Sequence, residues 1–257
     1  MTKTAIIVVS DLHINSTVAI CPPAVNLDDG GTYHQSRTQS WLWRSMLDFT
    51  RQVESDTAGM RRILVVNGDL GELDTAKRSI QLITLNKATI LKMVWEVLDP
   101  LAQDVDRMLF LRGTAAHTGK SSWLEEATAN DSSISIRQSD DIASQWHYRG
   151  VCEGVRLDIA HHTSAGGYPW TRGGSALRLA AKTVWQYRVA RRIDPPHLVI
   201  RSHNHHYQDS GGNYETHAIL TPAWTTATEY MYRVGHENEL SDIGGIVVAC
   251  ENGQYNV

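Results

Sequence analysis

Carboxylates and imidazoles recur at four places in this chain, each time behind a short apolar run. They are Asp11-Leu12-His13 after TAIIVV, Gly68-Asp69 after ILVV, His161-His162 after VRLDIA, and His203-Asn204-His205 close behind HLVIR. These residue types bind divalent cations. Residues two apart on an extended segment point the same way, so Asp11 with His13, and His203 with His205, can each grip one ion. Gly68 lets the backbone turn beside Asp69, and His206 adds a further imidazole. Of the adjacent pair, His161 directly follows the apolar run and reads as the ligand, while His162 packs or meets substrate. Singly, each cluster has a plainer reading: a loop cap for Asp11, a turn for Gly68-Asp69, surface or core histidines elsewhere. Together they point to one metal site above the C-terminal ends of several strands, where strand edges hold backbone direction rigidly.

The elements that must position these groups can be read from periodicity. A near-continuous apolar run predicts a strand buried on both faces at residues 5–10, and further strands are expected at 62–66, 107–111, 144–148, 155–160 and 198–201. Helical spacing predicts helices over 40–53, over 75–97 with its end at Asp99-Pro100, from about Ser122, and over a basic stretch from 174 to 192. Residues 14–38, with Pro22-Pro23 and Asp28-Asp29-Gly30-Gly31, read as a long loop over the strand ends. The tail predicts hairpin strands at 216–221, 228–234 and 245–250. Early β/α units followed by a strand-rich half imply an α/β fold with two sheets between helical layers, formed by residues 1–257 as a single domain.

Composition narrows the function classes. The 257 residues carry a net charge of -4, which argues against a surface that coats nucleic acid generally. The average hides a basic middle: residues 161–201 hold seven Lys or Arg against a single acidic residue. Cys21, Cys152 and Cys250 are few, odd in number and without a CxxC pair, so neither a disulfide framework nor a thiolate zinc site is indicated and a reducing compartment is expected. No apolar stretch approaches the roughly 20 residues needed to span a bilayer. The apolar N-terminal run leads straight into Asp11, which is at odds with a cleaved leader. The expectation is a cytoplasmic protein with no membrane partner.

The order Asp-x-His, Gly-Asp, a Gly-x-His-like segment, His and His-x-His resembles the calcineurin-like metallophosphoesterase family, including phage-type members. The likeness runs from Asp11 to His205, with Thr221-Pro222-Ala223-Trp224 similar to the segment that often follows. It implies a four-layer α/β/β/α sandwich of two mixed sheets and two divalent metal ions. Asp11, His13 and His205 would hold one ion, Asp69 would bridge both, and His161 and His203 would hold the second. One segment departs from the pattern. Where the family has Gly-Asn-His, this chain has Gly113-Thr114-Ala115-Ala116-His117. His117 matches the catalytic histidine with a displacement of two residues, and either Thr114 replaces Asn as a weak oxygen ligand or water fills the position. Glu72 fits a supporting acidic position.

The resemblance implies hydrolysis of a phosphoester bond. Two ions about 3.5–4 Å apart lower the pKa of a bridging water and clamp the attacking and leaving oxygens. His117 would then stabilise the developing charge or protonate the leaving oxygen. The thiolate-free ligand set suits Mn best, with Fe, Zn, Ni or Mg as alternatives. Arg112 and Arg201 are candidate phosphate contacts, Arg201 with the alternative of a structural ion pair. The basic residues Arg172, Arg178, Lys182, Arg188, Arg191 and Arg192, interleaved with Tyr168, Trp170, Trp185 and Tyr187, fit a nucleic-acid or nucleotide substrate, or else the solvated face of an amphipathic helix. A phosphodiester or nucleic-acid substrate is thus favoured. The alternatives are a phosphomonoesterase acting on a nucleotide or phosphoprotein, and a catalytically silent metal-binding scaffold.

Overall fold

The computed structural model describes residues 3–75, 81–163, 172–229, 232 and 240–257. In β1 (Thr4–Val9), side chains alternate between two cores: Ile6 and Val8 enter one, Ile7 and Val9 the other. The same alternation holds in β4 (Arg61–Asn67), where Val65 opposes Leu64 and Val66, and in β5 (Arg107–Leu111), where Leu109 and Leu111 oppose Met108 and Phe110. A strand apolar on both faces must be covered on both, which is why these runs show no polar alternation.

One side is covered by helices. α1 (Arg37–Asp56) contributes Leu42, Met46 and Val53, α2 (Lys87–Ala102) contributes Ile90, Met93, Val94, Val97 and Leu98, and α4 (Trp123–Asp131), after the short α3 (Ala115–Thr118), contributes Leu124 and Ala129. The other side is covered by a second sheet. Its members are β6 (Tyr148–Cys152), β7 (Val155–Ile159), β8 (Leu198–Arg201), β9 (Gln208–Asp209) and β10 (His217–Leu220), in the order β6-β7-β8-β10-β9. The first sheet is completed by β11 (Ile246–Glu251) and β12 (Gln254–Asn256), in the order β12-β11-β1-β4-β5. Both sheets are mixed: β1, β4 and β5 run parallel, as do β7, β8 and β10, while β11 and β6 are antiparallel to their neighbours. On the far face of the second sheet, Ala180 of α5 (Arg172–Trp185) packs on Val199 and Ala218. The layers are therefore α/β/β/α, the expected sandwich.

Several boundaries differ from the sequence reading. The helix expected over 75–97 begins at Lys87. Asn86 caps it by accepting from the backbone N–H of Ala88 and Thr89, and residues 81–85 instead lie against the chain behind β1, with Ile83 N–H donating to the Asn15 carbonyl at 2.9 Å. Residues 76–80 of that expected helix lie outside the described residues. The helix also passes Pro100 to end at Ala102, because a proline in the last turn costs one hydrogen bond while Leu101 stays buried. The strand expected over 144–148 is a single bridge between Gln145 and Leu111, and β6 starts only at Tyr148. The expected 14–38 loop contains a small ribbon, β2 (Ala24–Asn26) with β3 (Thr32–His34), and Ile14, Ala19, Ile20 and Cys21 within it are fully buried. The basic helix ends as a π-helical turn, Gln186–Arg191. The strand expected over 228–234 falls largely outside the described residues, as do Tyr168 and Trp170. Among the described residues, no helix is long and apolar enough to cross a membrane.

Candidate metal centre

Because β1, β4 and β5 are parallel in one sheet and β7 and β8 in the other, the loops leaving their C-terminal ends meet along one edge of the sandwich. A buried polar seam joins the two sheets there. Asn67 Nδ2 donates to Ser202 Oγ at 2.6 Å and to the Ala160 carbonyl at 3.2 Å. The Thr221 hydroxyl meets those of Ser202 and Ser10, both at 2.7 Å. Sequence reasoning passed over these four residues as site elements. Their signal was present: Ser10, Asn67, Ser202 and Thr221 are each the polar residue that ends an apolar strand immediately before the chain turns.

The chain then turns sharply. Asp11, His13, Asp69, His203 and His205 all adopt left-handed backbone, with φ of 50, 44, 47, 77 and 57°. Such conformations are uncommon for residues with a side chain and persist only where the surroundings enforce them. Here they aim ligating groups from both sheets at one place. Gly68, at φ 80°, is required for closeness: a Cβ there would lie 2.5 Å from the His161 ring.

Two ligand sets result. In one, Asp11, His13 and His205 bring ligating atoms within 4.8 Å of one another, and in the other Asp11, Asp69, His161 and His203 do so. In the first, His13 Nε2 and Asp11 Oδ1 each lie 3.3 Å from His205 Nε2. In the second, His161 Nε2 lies 3.1 Å from Asp69 Oδ2 and 3.2 Å from His203 Nδ1. Ligand atoms at 2.0–2.1 Å around a tetrahedral ion are separated by roughly 3.3 Å. Asp11 Oδ1 is buried and makes no hydrogen bond among the described residues. An unpartnered carboxylate oxygen among imidazole nitrogens that face one another is what a cation between them would satisfy. The residues present therefore fit divalent metal ions. The resemblance gives the bridging role to Asp69, whereas the geometry puts Asp11 in both sets.

Electrostatics agree. Burial raises the Asp11 carboxyl, but His161 and His205 outweigh it and hold the group at about 2. Burial likewise opposes ionisation of Asp69, and His161 and His203 carry it well below the usual carboxylate range. The reciprocal effect appears on His161, which burial pushes down and Asp69 and Asp11 push up to about 10. His162, at the mouth of the cluster, is lowered by burial and by its imidazole neighbours.

Glu72 supports two imidazoles at once. Its Oε1 accepts from His13 Nδ1 at 2.8 Å and from His117 Nδ1 at 2.6 Å. This third carboxylate–imidazole group orients rings instead of forming a further ion site: with Nδ1 engaged, Nε2 of each ring is directed away from Glu72. The short helix α3 (Ala115–Thr118) carries His117. Thr114 N–H donates to Asp69 Oδ1 at 2.5 Å and its hydroxyl to Asp69 Oδ2 at 3.2 Å.

The two arginines expected at phosphate are not brought to this cluster. Arg201 lies on the outer face of the second sheet, the face of Val199, with Nη2 2.5 Å from Asp158 Oδ1 and Nη1 donating to the Asp158 carbonyl at 2.9 Å. Its structural alternative is what the geometry displays. Arg112 is held by the Ser144 hydroxyl at 2.8 Å and Glu126 Oε2 at 3.2 Å. Arg188 pairs with Glu215 and Asp194, at the end of α5 away from the ligand clusters.

No family model matches the chain, and no curated protein matches it. Among solved structures, it is similar to Vps29 from Entamoeba histolytica complexed with Zn2+, at 10% identity over 98% of this chain and 88% of that one, with a TM-score of 0.44. Vacuolar Protein Sorting 29 from Cryptosporidium parvum matches at 10% identity over 100% and 96%, with a TM-score of 0.41. A predicted phosphoesterase from Streptococcus pneumoniae matches at 8% identity over 98% and 85%, with a TM-score of 0.38.

Proposed function

We propose that this chain is a metal-dependent phosphoesterase whose substrate is a phosphodiester. The observation that carries the reading is the pair of ligand sets sharing Asp11, with the His117 imidazole fixed beside them through Glu72. Asp11, His13 and His205 would hold one divalent ion, and Asp69, His161 and His203, with Asp11 shared, a second. When bound, such ions supply positive charge that polarises the phosphoester and acidifies water.

The remaining steps belong to the chain's own residues. Glu72 holds the Nδ1 proton of His117, which leaves Nε2 to deliver a proton to the departing oxygen. His162, exposed at the rim, meets the substrate side of the cluster. Preference for a diester follows from charge. A guanidinium fork favours a monoester dianion, and the two arginines expected at phosphate, Arg112 and Arg201, are both committed elsewhere among the described residues. A nucleotide or nucleic-acid diester fits this class. Arg188, Arg191 and Arg192 sit roughly 20 Å or more along the helix from its site end, at 1.5 Å per residue, so they bear only on an extended polymer.

The Thr114-for-Asn departure favours a second reading, a metal-binding scaffold without turnover. Hydrolysis of bis-p-nitrophenyl phosphate and p-nitrophenyl phosphate by metal-stripped and reconstituted protein separates the two. Metal-dependent turnover that favours the diester and is lost in Asp69→Asn is expected. A folded, metal-loaded protein inert toward both esters overturns the enzyme reading in favour of the scaffold.

A further inference from the structure

We propose that the outward ridge of α5 binds single-stranded nucleic acid and leads it toward the ligand clusters. The inference names the substrate class of the proposed diesterase and rests on that reading.

Spacing divides the helix into two sides. Ala176, Ala180, Thr183 and Tyr187, four, three and four residues apart, are buried. Ala180 packs on Val199 and Ala218, and the Tyr187 hydroxyl donates to Asp158 Oδ2 at 3.0 Å, so this side faces the second sheet. Arg178, Lys182, Trp185 and Val189 repeat the same spacing on the opposite side, and all four are exposed. Arg191 and Arg192, at the end of the π-helical turn, are exposed as well.

Charge on this ridge is unmatched. Arg188 is neutralised by Glu215 and Asp194. Among the described residues no carboxylate pairs with Arg178, Lys182, Arg191 or Arg192: Arg178 donates to the Ser175 hydroxyl at 3.1 Å, and Arg191 lies over the Tyr187 ring. Four uncompensated cations thus stand within about 20 Å of helix, on a chain whose net charge is -4. Such a concentration attracts a polyanion to one face of an otherwise acidic protein.

The apolar groups decide which polyanion. A helix that lies on a bilayer buries a broad apolar face in it, and α5 has spent that face on the second sheet. Outward it keeps Trp185, 59% exposed, with only Val189 and Ile193 beside it. One large ring between cations is what unpaired bases stack on while their phosphates meet Lys and Arg. In a duplex those base faces are already covered.

The ridge is also placed to serve the centre. β7 runs out to His161, and β8, parallel to it, runs out to His203, so the helix connecting them runs back from the ligand end. Arg178 stands about 9 Å along the axis from the helix start, and Arg192 about 20 Å further. A strand lying on the ridge therefore has one end directed at the clusters.

The test uses the full-length chain in EDTA, where no ion contributes, and follows the fluorescence anisotropy of a labelled oligothymidylate of about twenty residues. Wild type is expected to bind it, with a log–log salt slope of roughly -3 for four phosphate contacts. The triple variant Arg178→Glu, Lys182→Glu, Arg192→Glu should weaken binding by roughly tenfold or more and flatten the slope. Trp185→Ala should weaken it by about tenfold with the slope unchanged, the mark of lost stacking. Both variants alter exposed positions, so metal-loaded samples should keep the wild-type melting temperature and hydrolyse bis-p-nitrophenyl phosphate at the wild-type rate. Failure to bind the oligonucleotide, or wild-type affinity in both variants, overturns the proposal while that turnover leaves the phosphoesterase reading standing. Tighter binding to phosphatidylserine vesicles, or to the duplex with oligodeoxyadenylate, overturns the assignment to a single strand. Ridge-dependent binding by a metal-loaded protein that hydrolyses no ester supports the ridge and overturns the diesterase reading.

Discussion

His161 Nε2 lies 3.1 Å from Asp69 Oδ2, although the two residues come from different sheets. The contact is held from behind, because His161 Nδ1 donates to the carbonyl of Asn67 at 2.8 Å. That bond settles which ring nitrogen faces the carboxylate. It also requires the ring to pass over Gly68, where the nearest ring atom would be 2.5 Å from an added Cβ.

Gly68→Ala is therefore expected to combine two penalties: a left-handed φ of 80° imposed on alanine and displacement of a buried imidazole. The backbone cost alone is roughly 1–2 kcal/mol. Thermal unfolding and a metal count on the same sample check it. A variant with wild-type melting temperature and full metal uptake would show that the ring does not depend on this close approach.

Glu72 is the shared acceptor of His13 and His117, and it is 7% exposed. Glu72→Ala should free both rings and lower metal affinity or turnover by about 10–100-fold, the effect usual for partners that orient ligating imidazoles. Dialysis against Zn2+ and diester turnover report the two rings separately. Unchanged values in both assays would remove Glu72 from the working site.

Arg201 tests the distinction between site and scaffold. Its pairing with buried Asp158 is reinforced by His147, whose Nε2 is 2.5 Å from Asp158 Oδ1, and by the Tyr187 hydroxyl at 3.0 Å. Arg201→Met removes one charged partner of buried Asp158, which keeps His147, Arg149 and Tyr187, and should destabilise by about 1.5–3 kcal/mol. Denaturant unfolding should show the loss, with metal uptake of the folded protein unchanged. Loss of diester turnover at wild-type stability would instead place Arg201 at the substrate.

The acid limb of stability can be assigned in part to Glu126. Burial raises its carboxyl, but the N–H groups of Ala143 and Ser144, the Ser144 hydroxyl and Arg112 hold it at about 2, against an ordinary 4.5. Its folded-state value is depressed, so its contribution is complete above pH 4.5 and disappears as pH falls from 4.5 to about 2. Urea unfolding of wild type and Glu126→Gln should differ most above pH 4.5 and converge toward pH 2. A difference independent of pH would mean that Glu126 acts by shape and not by charge.

Much of this was legible from residue order. The run Arg107–Leu111 forms a strand with the bounds its apolar pattern indicated, and β1, β4, β7 and β8 fall within a residue or so of theirs. Local patterns of this kind are decided by neighbours in the chain, so the sequence alone could say that Asp11, Asp69, His161 and His203 stand at strand ends.

What it could not say was decided at long range. β1, β4 and β5 are apolar on both faces, so in them parity could not distinguish inside from outside. Arg201 turned to the outer layer because Asp158 waits there, 43 residues earlier in the chain. Asn86 stopped a helix that periodicity alone would have started at residue 75, and the strand-end pairing of Ile83 with Asn15 joins segments that no local pattern relates. Glu72 became a shared acceptor, and Thr114 a clamp on Asp69, only when separate loops met at one edge of two sheets. Residue types and spacing determined which groups were available for metal chemistry. Only the packing of one sheet on another decided which of their atoms face each other, because that depends on contacts between residues distant in sequence.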